Sequence, residues 1–294
     1  MVAAGTLLDG DPLNNFLKRD VVFNPDNILA GADSITFHGT HAHIGCDAGL
    51  VTIDLSDPTK PKVTQVLGSP GVGRPKAMTT QGRYGFVADE HGVVTMDLSD
   101  PAHPKPVSSM PFPGIKSLYA ARTYIYAAAG HRGLAIFDIQ NPEDMRVDQI
   151  YDADGRINDA HDVKLGATYP SQFAYIADGK NGLRVVQLTT PDTPGSHGFS
   201  PRAYPVLVSN FKLALGGHAV CIAKGIDRDR AVDEAGNQIS VFGRLGARPF
   251  NLEEMNKLYL RDGKIWRVSN DPAWAGYTLR RSKSQRRRKT ISGS

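Results

Sequence analysis

Cysteine is nearly absent from this chain: Cys46 and Cys221 are the only two in 294 residues. They form no CxxC pair, no CxxCH haem-attachment signature and no zinc-ribbon spacing. The expectation is two buried thiols acting as small hydrophobes; spacing alone leaves a bridge between them undecided. Long apolar runs are also missing, and none approaches the ~18 residues of a membrane span. The opening Met1 to Asp9 carries no basic segment and too short an apolar stretch for a signal peptide. Two expectations follow: a cytosolic protein, or a chain lacking the beginning of a longer precursor. No GxGxxG fingerprint, P-loop or GxSxG elbow occurs, which removes the usual dinucleotide, nucleotide and hydrolase signatures.

What the chain has is turn formers, with 30 glycines and 19 prolines. Charge is unevenly spread. Arg280, Arg281, Lys283, Arg286, Arg287, Arg288 and Lys289 bring seven positive charges without an acid among them, and the remainder holds 27 basic against 30 acidic residues. The body is mildly acidic, and residues 271–294 read as a basic disordered tail. Such a tail attracts phosphate backbones, anionic lipids or an acidic partner. It has no interleaved aromatics for base stacking, so nucleic acid is expected as a partner only through the tail.

Self-comparison uncovers a repeat. Residues 49–58 (GLVTIDLSDP), 92–101 (GVVTMDLSDP), 133–142 (GLAIFDIQNP) and 182–191 (GLRVVQLTTP) align, at spacings of 43, 41 and 49 residues. Each unit opens on a glycine, where a turn wants positive φ, continues as a strand rich in Val, Ile, Leu and Thr, and stops at a proline, preceded in the first three by an Asp or Asn that closes a turn. Upstream of each glycine lies a second strand, with His41 and His43, Tyr84 and Phe86, Tyr124 and Tyr126, or Phe173 and Tyr175 on one side. A third strand precedes it, centred on Ile35, Met78, Leu118 and Val163, and a fourth follows the proline. Four antiparallel strands per ~43 residues predict an all-β fold, a β-propeller of four-stranded blades.

The predicted blades lie near 31–71, 72–113, 114–157 and 158–215, with a degenerate fifth over 216–270 that runs from Gly217 to Gly243 and loses the aromatic strand. Beyond it, residues 251–259 have helical spacing and 264–268 resemble a last strand. Residues 1–30, through Val21, Val22 and Phe23, are expected to supply a ring-closing strand. A ring missing blades encoded upstream is the rival expectation.

The repeat cores 50–54 (LVTID), 93–97 (VVTMD), 134–138 (LAIFD) and 183–187 (LRVVQ), with Gln187 departing from the pattern, resemble the LVIVD repeat family. The resemblance covers roughly residues 31–200. It implies a bacterial propeller, periplasmic or at the cell surface, that serves as a noncatalytic protein- or ligand-binding scaffold with no cofactor and no shared catalytic residue set. A cytoplasmic setting remains the other expectation, since this chain carries no signal peptide.

Candidate sites are weighed within the repeat. His41 and His43 project from one face of a strand, as a metal site requires, yet they fall where other blades carry aromatics. The repeat therefore assigns them to blade packing. Cys46 falls where Asp89, Ala129 and Asp178 stand, and His91 and His131 fall in turns. The innermost strand is more informative: two places before Ile35, Met78, Leu118, Val163 and Val220 stand Asp33, Lys76, Lys116, His161 and His218. In a closed ring these five form a circlet, with Asn158, Asp159 and Asp162 beside His161. That circlet suits a small anionic or carboxylate-bearing ligand, and an unidentified protein is the other partner class. The rival function is a metal-assisted hydrolase or lyase using His161 and His218.

Overall fold

The computed structural model describes residues 21–223, apart from 169–170, 197, 199 and 213–215, together with three short strand pairs outside that range. The chain divides into two units, Phe23–Ala223 and Met1–Val22 with Lys224–Ser294. Of the second, three pairings are described: Val2–Ala3 with Lys18–Arg19, Arg244–Leu245 with Arg248–Pro249, and Leu260–Arg261 with Lys264–Ile265. The basic tail, the 251–259 segment and the Gly236–Gly243 strand lie outside the described residues.

The first unit is all-β and holds four antiparallel four-stranded sheets, the blades of a propeller. Blade 1 is Ser34–His38, His41–Cys46, Gly49–Asp54 and Lys62–Leu67. Blade 2 is Ala77–Gln81, Tyr84–Ala88, Gly92–Asp97 and Lys105–Pro111. Blade 3 is Ser117–Ala121, Tyr124–Ala128, Leu134–Asp138 and Arg146–Tyr151. Blade 4 is Asp162–Thr168, Ser171–Ala177, Leu183–Thr189 and Val206–Phe211. Strands are neighbours in chain order, so each blade is a meander.

Stacking explains why the middle strands are apolar at almost every position. In blade 3, Ile125 and Ala127 join Phe86, Ala88 and Phe137 in one cluster, while Tyr126 and Ile136 join Val163, Ile176 and Val186 in the next. Alternate residues face opposite neighbours, and both faces are buried. Leu50 meets Met78, Val87 and Met96 between blades 1 and 2.

The repeat glycine has a shared reason that differs from the turn expectation. Gly49, Gly133 and Gly182 have positive φ, but Gly92 does not. Common to all four is that a Cβ would strike the fourth-strand backbone, at Leu67, Met110, Tyr151 or Phe211. Close backbone approach keeps the position glycine. The residues before the prolines close their turns as expected: Asp57 and Asp100 accept from the N–H groups of Thr59 and Ala102 at 3.0 Å, and Asn141 from that of Glu143 at 3.3 Å. The strand-ending acids add a second tie, since Asp54, Asp97 and Asp138 accept from the N–H groups of Ser56, Ser99 and Gln140 at 2.8 Å. Where Gln187 replaces the acid, the strand runs on to Thr189, and Thr193 Oγ1 accepts from the Thr190 N–H at 2.8 Å.

The expected closing strand is not formed at Val21–Phe23, which takes no regular structure. A 3-10 turn at Pro25–Asn27 follows, and Phe23, Ile28 and Leu29 cover the apolar face of Ala42, Ile44, Val51 and Ile53. Ile35 on the inner strand of blade 1 stays exposed, as does Phe37, whereas the repeat mates of Ile35, Met78, Leu118 and Val163, are buried. Blade 1 therefore lacks a preceding blade among the described residues.

Candidate functional site

Four inner-strand positions share one register. The backbone N–H groups of Asp33, Lys76, Lys116 and His161 donate to Gly45, Ala88, Ala128 and Ala177, at 2.9, 2.8, 2.9 and 2.7 Å. Each residue thus opens its blade at the same level, with its side chain partly exposed. Placed on such a scaffold, the side chains gather into two groups.

The first group is an ion-pair chain. Lys76 Nζ lies 2.8 Å from Asp33 Oδ2, Arg74 lies 3.5 Å from the same oxygen, and Arg74 Nε lies 2.9 Å from Asp47 Oδ1. The Lys76 hydrogen bond, aided by Arg74, holds the Asp33 carboxyl below its ordinary value. The second group surrounds Asp159. Its Oδ1 lies 3.0 Å from His161 Nε2 and 3.5 Å from Lys116 Nζ, and its Oδ2 lies 3.3 Å from His218 Nε2. Lys116 Nζ is also 3.2 Å from His161 Nε2, and the two imidazoles meet edge to face at 5.0 Å. Partial burial works to raise the Asp159 pKa, but His161, Lys116 and His218 outweigh it and leave the carboxyl below its ordinary value.

Three expectations change here. The circlet, expected to offer its lysines to an anion, has each lysine already facing an aspartate. His218 reaches His161 from a different register. Ala160 bonds both ways to Gly130, and Ala219 does the same to Gly179, so Val220 stands level with His161 and His218 with Asp159. A slip of two preserves the alternation of faces and leaves the sequence pattern unchanged. Asp162 is a tie, not an open ligand group. Its Oδ1 accepts from Ser117 Oγ, the Val163 N–H at 2.8 Å and Lys164 Nζ at 2.7 Å, and its Oδ2 accepts from the Ile222 N–H at 2.9 Å.

Asp178 and Arg184 escaped the sequence reading. Asp178 is fully buried; its Oδ1 accepts from the N–H groups of Asn158 and Asp159, at 3.2 and 2.8 Å, and its Oδ2 pairs with Arg184 Nε at 3.2 Å. It fixes the loop that carries Asp159. Gly179 completes this seat, since a Cβ there would overlap the Asp159 carboxylate. The signal was present, for Asp89 at the same repeat position is also buried and holds the Gly73 N–H at 3.0 Å.

The remaining candidates fall elsewhere. His43 is fully buried, with Nδ1 3.1 Å from Thr52 Oγ1, and His41 lies 4.0 Å from Asp54. His91 and His131 are exposed. Both thiols are free; Cys46 is buried as expected, while Cys221 is exposed, against expectation.

The LVIVD repeat model matches residues 31–65, 75–110, 117–153 and 159–212. No curated protein matches the sequence. Among solved structures, the chain is similar to a functionally unknown protein from Desulfotomaculum acetoxidans DSM 771, at 12% identity and TM-score 0.48 over 70% of this chain and 61% of that one. It is also similar to the computationally designed Ika4 protein, at 10% identity and TM-score 0.41 over 53% of this chain and 90% of that one. Four consecutive matches, one to each blade and together more than half of the residues, establish that the chain belongs to the LVIVD repeat family.

Proposed function

We propose that the chain is a noncatalytic binding scaffold whose recognition surface is the ring of inner-strand openings, and that it takes a ligand bearing carboxylates. The observation that carries this reading is the shared register of Asp33, Lys76, Lys116 and His161 on blades whose faces are buried. Rigid sheets hold the backbone of these residues, so little ordering entropy is lost when a ligand arrives. Their side chains remain reachable, with Lys76 and Lys116 about 40% exposed. Exposed ion pairs are worth only about 0–1 kcal/mol, so a ligand carboxylate exchanges for Asp33 or Asp159 at low cost. Resemblance to exported LVIVD propellers supports a periplasmic or cell-surface setting; among the described residues, no helix is long and apolar enough to cross a membrane.

Citrate is a suitable probe. At a hundredfold excess over Kd, ligand binding stabilises the folded state by about 2.7 kcal/mol, a rise of several degrees in Tm. The rise is expected in the parent protein and should vanish in the Lys76→Glu, Lys116→Glu double variant. An equal rise in both proteins, or none in the parent at low salt, would overturn the proposal.

A further inference from the structure

We infer that Asp159, His161 and His218 form a binding site for a divalent transition metal of the zinc type, one that staples the Gly216–Ala223 segment to blade 4. This goes beyond the carboxylate reading and does not depend on it.

The donor set is the first argument. Two imidazole nitrogens and one carboxylate oxygen suit zinc, and three protein ligands leave a fourth position for water or an incoming carboxylate. The three ligand atoms lie within 4.8 Å of one another. Bonds of about 2.0–2.1 Å at tetrahedral angles put neighbouring ligand atoms about 3.3 Å apart. Asp159 already meets both rings, through Oδ1 at 3.0 Å from His161 Nε2 and through Oδ2 at 3.3 Å from His218 Nε2, so its carboxylate must turn to offer one oxygen to a shared metal. Small rotations of the carboxylate and the rings convert these contacts into metal bonds.

The second argument is that the site is built from below. Asp178 bonds the Asp159 N–H, Gly179 leaves space for the Asp159 carboxylate, and the Gly179–Ala219 pair fixes the neighbour of His218 through bonds of 3.0 and 2.9 Å. Ile222 is tied to Asp162. Backbone therefore locates all three donors before a metal arrives, which is the condition for affinity without a large ordering cost.

The third argument concerns what stands there. Lys116 Nζ is 3.2 Å from His161 Nε2 and 3.5 Å from Asp159 Oδ1, so an ammonium already occupies the place of a cation between two of the donors. A metal must displace it. The lysine acts as a competing internal cation, and its removal should tighten metal binding while removal of a ligand weakens it. A purely structural polar cluster gives no such opposition of sign.

The test is calorimetric titration of ZnCl2 into the full, tag-free chain after chelator treatment and dialysis. One zinc per chain is expected to bind the parent. His161→Gln and His218→Gln should each weaken binding at least tenfold, Lys116→Met should tighten it, and His91→Gln, on an exposed turn, should leave it unchanged. Metal-free melting temperatures report whether each variant is folded. Lys116 is a partly exposed side chain, so the Lys116→Met arm stands even if a histidine variant fails to fold. Zinc affinity indifferent to both histidine variants, or absent from the parent and from Lys116→Met alike, would overturn the inference. With the citrate melts run on protein treated with chelator and dialysed in the same way, citrate reads Lys76 and Lys116 while zinc reads the two histidines, so the two proposals fail separately.

Discussion

Replacing Asp178 with alanine is expected to lower the unfolding free energy by about 3–5 kcal/mol, the usual cost of breaking a buried ion pair from one side. Three losses coincide. Arg184, itself buried, keeps a guanidinium with no counter-charge, and the N–H groups of Asn158 and Asp159 lose their acceptor. For a domain of 150–250 residues, each kcal/mol is worth about 2–4 °C, so Tm should fall by roughly 6–20 °C in a thermal melt. Adding Arg184→Met should restore part of the loss, because an apolar pair leaves no uncompensated charge. A single-variant loss under about 1 kcal/mol would show that Arg184 finds water instead, and that the loop carrying Asp159 is held by other means. Zinc affinity offers a second readout: loosening the seat of Asp159 should weaken the proposed metal site even in protein that remains folded.

The repeat was legible because blades stacked between neighbours bury both faces, which imposes near-continuous apolar strands, and because similar punctuation recurs at the turns. The inner-strand register was legible for the same reason: Asp33, Lys76, Lys116 and His161 are polar exceptions at one level of an otherwise apolar pattern. What sequence did not disclose is pairing. Asp33 is neutralised by Lys76 from the next blade, and Arg74 reaches it from a loop, so neither sign nor reach could be read from the strand. His218 shows the limit of alternation, since a shift of two residues keeps every side chain on its expected face while changing its level. Asp178 entered the alignment only as the counterpart of Cys46, with no partner in view. Its burial is explained by the two loop N–H groups it accepts and by Arg184, which occupies an apolar slot of its own strand. The glycine of the repeat was found correctly for an incomplete reason. Positive φ accounts for three of the four, whereas the approach of the fourth strand, a non-local contact, accounts for all.

Stability is expected to fall by about 3 kcal/mol as pH drops from 6.5 to 4, through His43. Burial, reinforced by His38 and His41 nearby, lowers its pKa from 6.5 to about 4. Its Nδ1 faces Thr52, and its Nε2 is buried without a hydrogen-bond partner, so the folded state offers a second proton no acceptor. The unfolded chain takes up that proton near pH 6.5 and the folded chain only near pH 4. Between those values the unfolded state holds one more proton, and acid favours unfolding at this residue. Above pH 6.5 both states are neutral here and the contribution is constant. The aspartates held low by their partners, Asp33, Asp54 and Asp97 among them, lose their stabilisation as pH falls through their own lowered values. That loss lies further into acid and is common to parent and variant. His43→Phe should therefore remove the slope between pH 4 and 6.5 and leave the rest. The ring has a precedent in the fold, since Phe86 sits opposite Thr95 in blade 2 as His43 sits opposite Thr52 in blade 1. Urea midpoints measured at pH 4.5, 5.5, 6.5 and 7.5 decide the matter, because a slope reads the proton even if the larger ring shifts stability by a constant amount. Parallel curves for parent and variant would mean that His43 opens to water before it is protonated.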